Sequence, residues 1–316
     1  MALDTLPPGP TSLAMRLLSF ANALTMKLAT YKDGSRDGQL VVVSRDLATA
    51  CYTTGIAFRL QQVFDDWDFM SPQLQDAYDA LNAGRARHAF PFDPVQCMAP
   101  LPRACQWACG CAQPNHVEPA AESDRPALSI RRGASDDFAG PCDPILVASD
   151  AFDIGFGPGI AVITGDVRRG ATTDQALDAV RLVLLVNDVS LGKPVHAELA
   201  TAFSPVAVTP DELGTAWRGG RLHLTLQSIL NGRKVGQHDA GDGMTFHFGQ
   251  LIAHMTRSRN VRAGSIIGSG AVGNQGAELM TSGDTIRIEM KGLDGRSMFG
   301  AIEQEVTADA NHQPTP

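Results

Sequence analysis

The chain has 316 residues, is 44% hydrophobic and 19% charged, and carries a net charge of −8 with a sequence pI near 5.4. That length supports one large domain or two smaller ones, and the acidic balance gives no handle for nucleic acid or an anionic membrane. No apolar run approaches the roughly 20 residues of a membrane-spanning helix. The 6 cysteines are too few and too unevenly spread for a disulfide framework, so reduced thiols and a cytoplasmic protein are expected.

Residues 1–25 read as a flexible extension before Met26. From there "MKLATYKDGSRDGQLVVVS" gives two short strands around a polar, glycine-containing turn, a hairpin signal. "TTGIAFRLQQVFDDW" and "SPQLQDAYDALNAG" carry helical spacing, the second with Ser71 as N-cap and Pro72 in the first turn. Proline-rich 88–104 breaks all periodicity and reads as a linker, and "PAAESDRPALSIRRGASDDFAGPCDP" reads as a surface loop. A buried strand is expected over 160–164. "TTDQALDAVRLVLLVND" predicts a threonine-capped helix running into an apolar strand. Leu222, Leu224 and Leu226 alternate before a turn at Asn231-Gly232, the residue pair a two-residue hairpin loop favours. A helix through "MTFHFGQLIAHMTRSRN", with His247 and His254 on it, and a closing hairpin with Ile286 and Ile288 on one face complete the chain. Strands outnumber helices after the linker. The expected fold is therefore α+β and β-rich: a small α/β N-terminal domain with its linker over 26–104, a larger domain over 105–306 and a tail over 307–316.

Four places carry candidate chemistry. "GSGAVG" at 268–273 fits Gly-x-Gly-x-x-Gly, but the segment after it is too short for a Rossmann helix. A tight glycine loop of Gly268, Ser269 and Gly270, offering backbone amides to an anionic substrate, fits better. Cys105, Cys109, Cys111 and His116 are zinc-binding residue types at a poor spacing, while His116 alone suits a general base. Asp188 ends an apolar strand, as a turn residue or a metal ligand. Finally, "FDIGFGPGI" sets glycines 155, 157 and 159 and a proline into strand surroundings. Either the backbone approaches something closely there, or side chains have been lost.

The runs "KLATYKDGSRDGQLVVVSRDL", "MAPLPRA", "NHVE", "VITGDV", "LVNDVSL", "TAFSPVAVTPDELG", "HFGQLIAH" and "GDTIRIEMKGLDG" together resemble, in order, a bacterial two-domain branch of the fumarylacetoacetate hydrolase family. The resemblance implies a mixed β-sandwich or roll and a cytoplasmic homodimer. It further implies hydrolysis of carbon-carbon bonds in β-diketo acids, such as acylpyruvates and fumarylacetoacetate, with a magnesium, manganese or calcium ion. Matched to that pattern, His116 is the catalytic base and Asp188 a metal ligand. The family's Glu-x-Glu falls on Gly157 and Gly159 and its first aspartate on Cys109, which makes all three vacated ligand positions. Glu198 lies near the place of the family's lysine, and Ala271 takes the place of its threonine. The resemblance thus implies a metal-dependent hydrolase; the missing ligands raise the alternative of a pseudoenzyme that serves as a binding or dimerisation partner.

Overall fold

Strand β10 (Val180–Asn187) shows how the sequence builds the fold, because it is apolar at almost every position and so needs cover on both faces. In the computed structural model, which describes residues 23–110, 128–147, 153–191, 201–273 and 278–308, it has that cover. Val183 and Leu185 point into one core, and Leu182, Leu184 and Val186 into a second.

The first strands are β1 (Lys27–Tyr31), β2 (Gln39–Val43), β3 (Thr49–Tyr52) and β4 (Phe90–Pro91), with helices α1 (Leu60–Asp65) and α2 (Trp67–Asn82) between the last two. Next come β5 (Gln106–Gly110), β6 (Ile130–Gly133), β7 (Ile145–Val147), β8 (Ile154–Gly155) and β9 (Pro158–Thr164), then α3 (Thr173–Asp178) before β10. After it stand β11 (Ser190–Leu191), β12 (Ala202–Phe203), β13 (Ala207–Val208), β14 (Trp217–Arg218), β15 (Arg221–Leu222), β16 (Thr225–Leu230) and β17 (Arg233–Asp239). Helix α4 (Phe248–Met255) precedes β18 (Ser265–Ala271), β19 (Thr285–Met290) and β20 (Ile302–Ala308).

The large sheet runs β4-β3-β2-β1-β13-β10-β9-β18-β5-β6, with β12 also paired to β10. A second sheet, β17-β16-β19-β20-β7, covers one of its faces. Helices α1 and α2 cover the other through Leu60, Val63, Phe64, Leu74 and Tyr78. The N-terminal strands extend the same large sheet, because Lys27 and Leu28 of β1 pair with Val208 and Ala207 of β13. The sheet also rolls. The chain beyond β6 returns to β12 through an Ala139–Ala202 bridge, and Trp107, Phe138 and Phe203 meet edge to face where it closes. This is the β-rich α+β architecture expected from the sequence.

Several local expectations shift. Helix α2 begins at Trp67, one turn ahead of Ser71, because Trp67 stacks on Phe64 with 5.7 Å between ring centroids; Ser71 is buried and Pro72 lies inside the helix. The 88–104 segment is no loose linker: Met98 donates its backbone N–H to Thr30, and Cys97, Ala99 and Leu101 are buried. The polar stretch read as a loop contains β6, recruited by pairing to β5. Helix α4 starts at Phe248, leaving His247 as its N-cap residue. At the predicted hairpin, Asn231 and Gly232 both take positive φ, 51° and 76°, as a type I′ turn requires.

Candidate functional site

The register of five neighbouring strands gathers the sequence candidates at one rim of the roll. Asn187 at the end of β10 pairs with Pro158 at the start of β9, and Gly159 with Ala271 at the end of β18. Gly268 of β18 pairs with Cys109 near the end of β5, which faces Arg131 near the start of β6. Asp188, Gly157, Gly159, Gly270, Cys109 and Arg131 thus occupy the same end of the sheet. His116, Cys111 and Glu198 lie outside the described residues; the chain leaves those residues for His116 at Gly110, on this rim.

Asp188 is neither a free turn carboxylate nor bonded to its own backbone. Its Oδ2 accepts a 2.6 Å hydrogen bond from Arg131 Nη2, and its Oδ1 accepts one of 3.1 Å from the Thr201 hydroxyl. The carboxylate side chain is 14% exposed and the guanidinium side chain 49%, so the pair sits at the surface with its acid end inward. Behind it runs a buried polar chain. Gly157 donates its N–H to Asn187 Oδ1, Asn187 Nδ2 donates to Gln304 Oε1, and Gln304 Nε2 donates to the Asp143 carbonyl. The Asp188 N–H in turn donates to the Gly157 carbonyl at 2.9 Å. These bonds lock the two chain segments together, since each buried polar group has its partner.

The glycine question has a geometric answer. A Cβ on Gly157 would lie 2.4 Å from the Asp188 carbonyl oxygen, and one on Gly159 would lie 2.8 Å from that of Gly270. Both positions are close backbone approaches, whatever their ancestry. The tight glycine loop expected at Gly268, Ser269 and Gly270 is strand instead. Gly268 and Ser269 are buried in β18, where a Cβ on Gly268 would meet the Trp107 ring at 2.6 Å. Ser269 Oγ donates to the Gly270 carbonyl and accepts from Ile160 N–H, holding the irregular register between β18 and β9. Its hydroxyl is used inside the sheet. Gly270, with φ 79°, makes that irregularity possible.

The model matching residues 26–103 is described as fumarylacetoacetase N-terminal domain 2, and that matching 105–307 as the fumarylacetoacetate hydrolase C-terminal domain. The chain belongs to the fumarylacetoacetate hydrolase family. Solved structures agree in fold. The maleylpyruvate hydrolase of Sphingobium sp. SYK-6 gives a TM-score of 0.68 at 16% identity over 90% of this chain and 100% of its own. Its complex with manganese(II) and pyruvate gives 0.67 at 16% identity, over 90% and 99%. The fumarylacetoacetate hydrolase of the psychrophile Exiguobacterium antarcticum gives 0.66 at 18% identity, over 90% and 100%. No curated protein matches the chain.

The family's divalent ion can be tested against this donor set. A hard dication takes six or more oxygens, several of them charged in a site of moderate affinity. Among the described residues the rim offers one carboxylate, Asp188, already held by Arg131 and Thr201. Positions 157 and 159 have no side chain, and position 109 has a thiol. This set does not fit a magnesium, manganese or calcium ion. A separate group of potential ligands, His223, Asp239 and Asp242, has its ligand atoms within 4.8 Å of one another. Its geometry is that of a turn: Asp239 Oδ1 accepts the N–H groups of Gly241 and Asp242.

The sequence reading missed Arg131, Thr201, Asn187 and Gln304. A signal existed only for Asn187, a polar residue closing an otherwise apolar strand. No helix among the described residues is long and apolar enough to cross a membrane.

Proposed function

We propose that this protein acts on small β-diketo acids of the acylpyruvate or fumarylacetoacetate type and that its reaction is hydrolysis of a carbon-carbon bond. The observation that carries this is the rim itself: Asp188, the carboxylate that the resemblance assigns as a metal ligand, beside a guanidinium, Arg131. A diketo acid carries a carboxylate, and a planar guanidinium is the side chain best shaped to bind a carboxylate's paired oxygens. In this reading Arg131 orients the substrate and His116 removes a proton from the water that attacks the carbonyl; the carbon-carbon bond beside that carbonyl then breaks, leaving a carboxylic acid and an enolate that takes the proton back from His116. The homodimer implied by the family belongs to the same proposal, and light scattering of the full chain tests it.

A second reading has an observation of its own. The Arg131–Asp188 ion pair puts a fixed positive group against the carboxylate that a metal would use, which favours a pseudoenzyme that binds without turnover. One experiment separates the two. Purified protein at high concentration is assayed on acylpyruvates with magnesium, manganese, zinc or chelator, beside His116→Ala. Turnover lost in His116→Ala supports the hydrolase. Absence of turnover in a folded protein that still binds the acylpyruvates supports the pseudoenzyme.

A further inference from the structure

A lysine ammonium removed from water normally faces a carboxylate, because an isolated buried charge is strongly disfavoured. Lys27 on β1 breaks that rule. Its residue is 1% exposed, and its Nζ donates to the Met298 carbonyl at 2.6 Å and to the Met298 sulfur at 3.5 Å. Among the described residues no carboxylate lies within salt-bridge distance of it, and its third N–H has no acceptor.

Lys27 lines a cavity of about 290 Å³ between the 210–216 turn and the 292–298 loop. The acids on its wall are already engaged. Glu212 accepts from Arg45 Nε at 3.1 Å and from the Tyr78 hydroxyl at 3.0 Å, and Asp294 accepts the Arg296 backbone N–H at 3.0 Å. The unfilled capacity includes two donors, the third Lys27 N–H and the Ser297 hydroxyl, which is buried without a partner on the same wall. Leu213, Leu224 and Met298 give the remaining wall an apolar character, while Arg45 and Arg296 stand at the exposed rim.

We propose that this cavity binds a short-chain organic carboxylate, its anionic head on Lys27 and Ser297 and its carbon chain against Leu213 and Leu224. An inorganic anion would match the ammonium but leave the apolar wall unused, and a neutral molecule would leave the buried charge unpaired. The site is distinct from the Asp188 rim and does not rest on the hydrolase reading.

The test is calorimetric titration of the full chain with butyrate, alone and with inorganic phosphate as competitor. Saturable butyrate binding is expected, weakened about tenfold or more in Lys27→Met, equivalent to about 1.4 kcal/mol, and by a smaller factor in Ser297→Ala. Lys27→Met conserves volume and removes a buried charge, and Ser297→Ala guards against a folding defect in it. No saturable binding to wild-type protein would overturn the proposal. So would unchanged affinity in both variants, or full displacement by equimolar phosphate, which would mark a general anion site. Because the readout is binding, failure here leaves the diketo-acid reading untouched.

Discussion

Gly157 and Gly159 matter through what surrounds them rather than through the side chains they lack. With Asp188 O only 2.4 Å from a Cβ at 157, even Gly157→Ala forces backbone movement. A loss of about 1–3 kcal/mol is expected, read by urea unfolding with an unchanged m value. Placing glutamate at both positions and aspartate at Cys109 therefore does not by itself rebuild a magnesium site; the expected outcome is a less stable protein whose magnesium titration matches wild type. Tight magnesium binding in that triple variant would show that the rim relaxes more than its hydrogen bonds suggest. Lys27 supplies a prediction of opposite sign. Burial, helped by the nearby Arg45 charge, lowers its pKa from 10.5 to about 8 against weaker raising effects of Glu212, Asp294 and Asp46. Between pH 8 and 10.5 the unfolded chain binds a proton there that the folded chain has released, so this residue makes stability rise with pH across that window. The full rise is about 3 kcal/mol, and unfolding at pH 7.5, 9 and 10 should show part of it as a wild-type slope that Lys27→Met lacks. Identical slopes would mean that Lys27 is not desolvated.

Among the elements, those written by local chemistry were legible and those made by long-range pairing were not. Helix α3 is a local case: Thr172 Oγ1 accepts from the Gln175 N–H while Gln175 Oε1 accepts from the Thr172 N–H, a reciprocal cap visible as Thr-x-x-Gln. Thr172→Ala is expected to lower stability by about 1 kcal/mol and Thr172→Asp to restore most of it, because aspartate caps as well. Chemical denaturation of the two variants checks this; equal losses would assign the effect to packing instead. The hairpin at Asn231-Gly232 was legible for the same reason, as two adjacent residues that tolerate positive φ. Strand β6 was not. Its Ile-Arg-Arg-Gly reads as surface, and it is a strand only because β5 presents an edge to it. The site divides in the same way. Asp188, Cys109 and the glycines could be placed by resemblance, but Arg131 meets Asp188 across 57 residues of sequence once the sheet has rolled, and nothing near either residue announces the other.

At the scale of the whole molecule, a boundary near 104 divides two family models but does not divide the sheet. Strand β1 pairs with β13, and one core contains Leu28, Val42, Leu60 and Tyr78 from the N-terminal part with Trp107, Leu184, Phe203 and Ala207 from the rest. The join is reinforced where Arg181, one residue into β10, stacks its guanidinium 5.7 Å from the Trp67 ring centroid on α2. Separating the two parts would strip apolar cover from the core they share and expose the β1 and β13 edges, so the N-terminal part would lose one wall of its core. Native-state hydrogen exchange in increasing urea should therefore show the amides of Leu28 and Ala29 converging on the same global opening as those of Val183 and Leu184. A distinct, lower-urea opening of β1 and β2 with β10 still protected would instead make the N-terminal part an independent unit. The Asp188 rim would then rest on the roll alone, while the Lys27 cavity, whose buried lysine stands on β1, would open with the N-terminal strands.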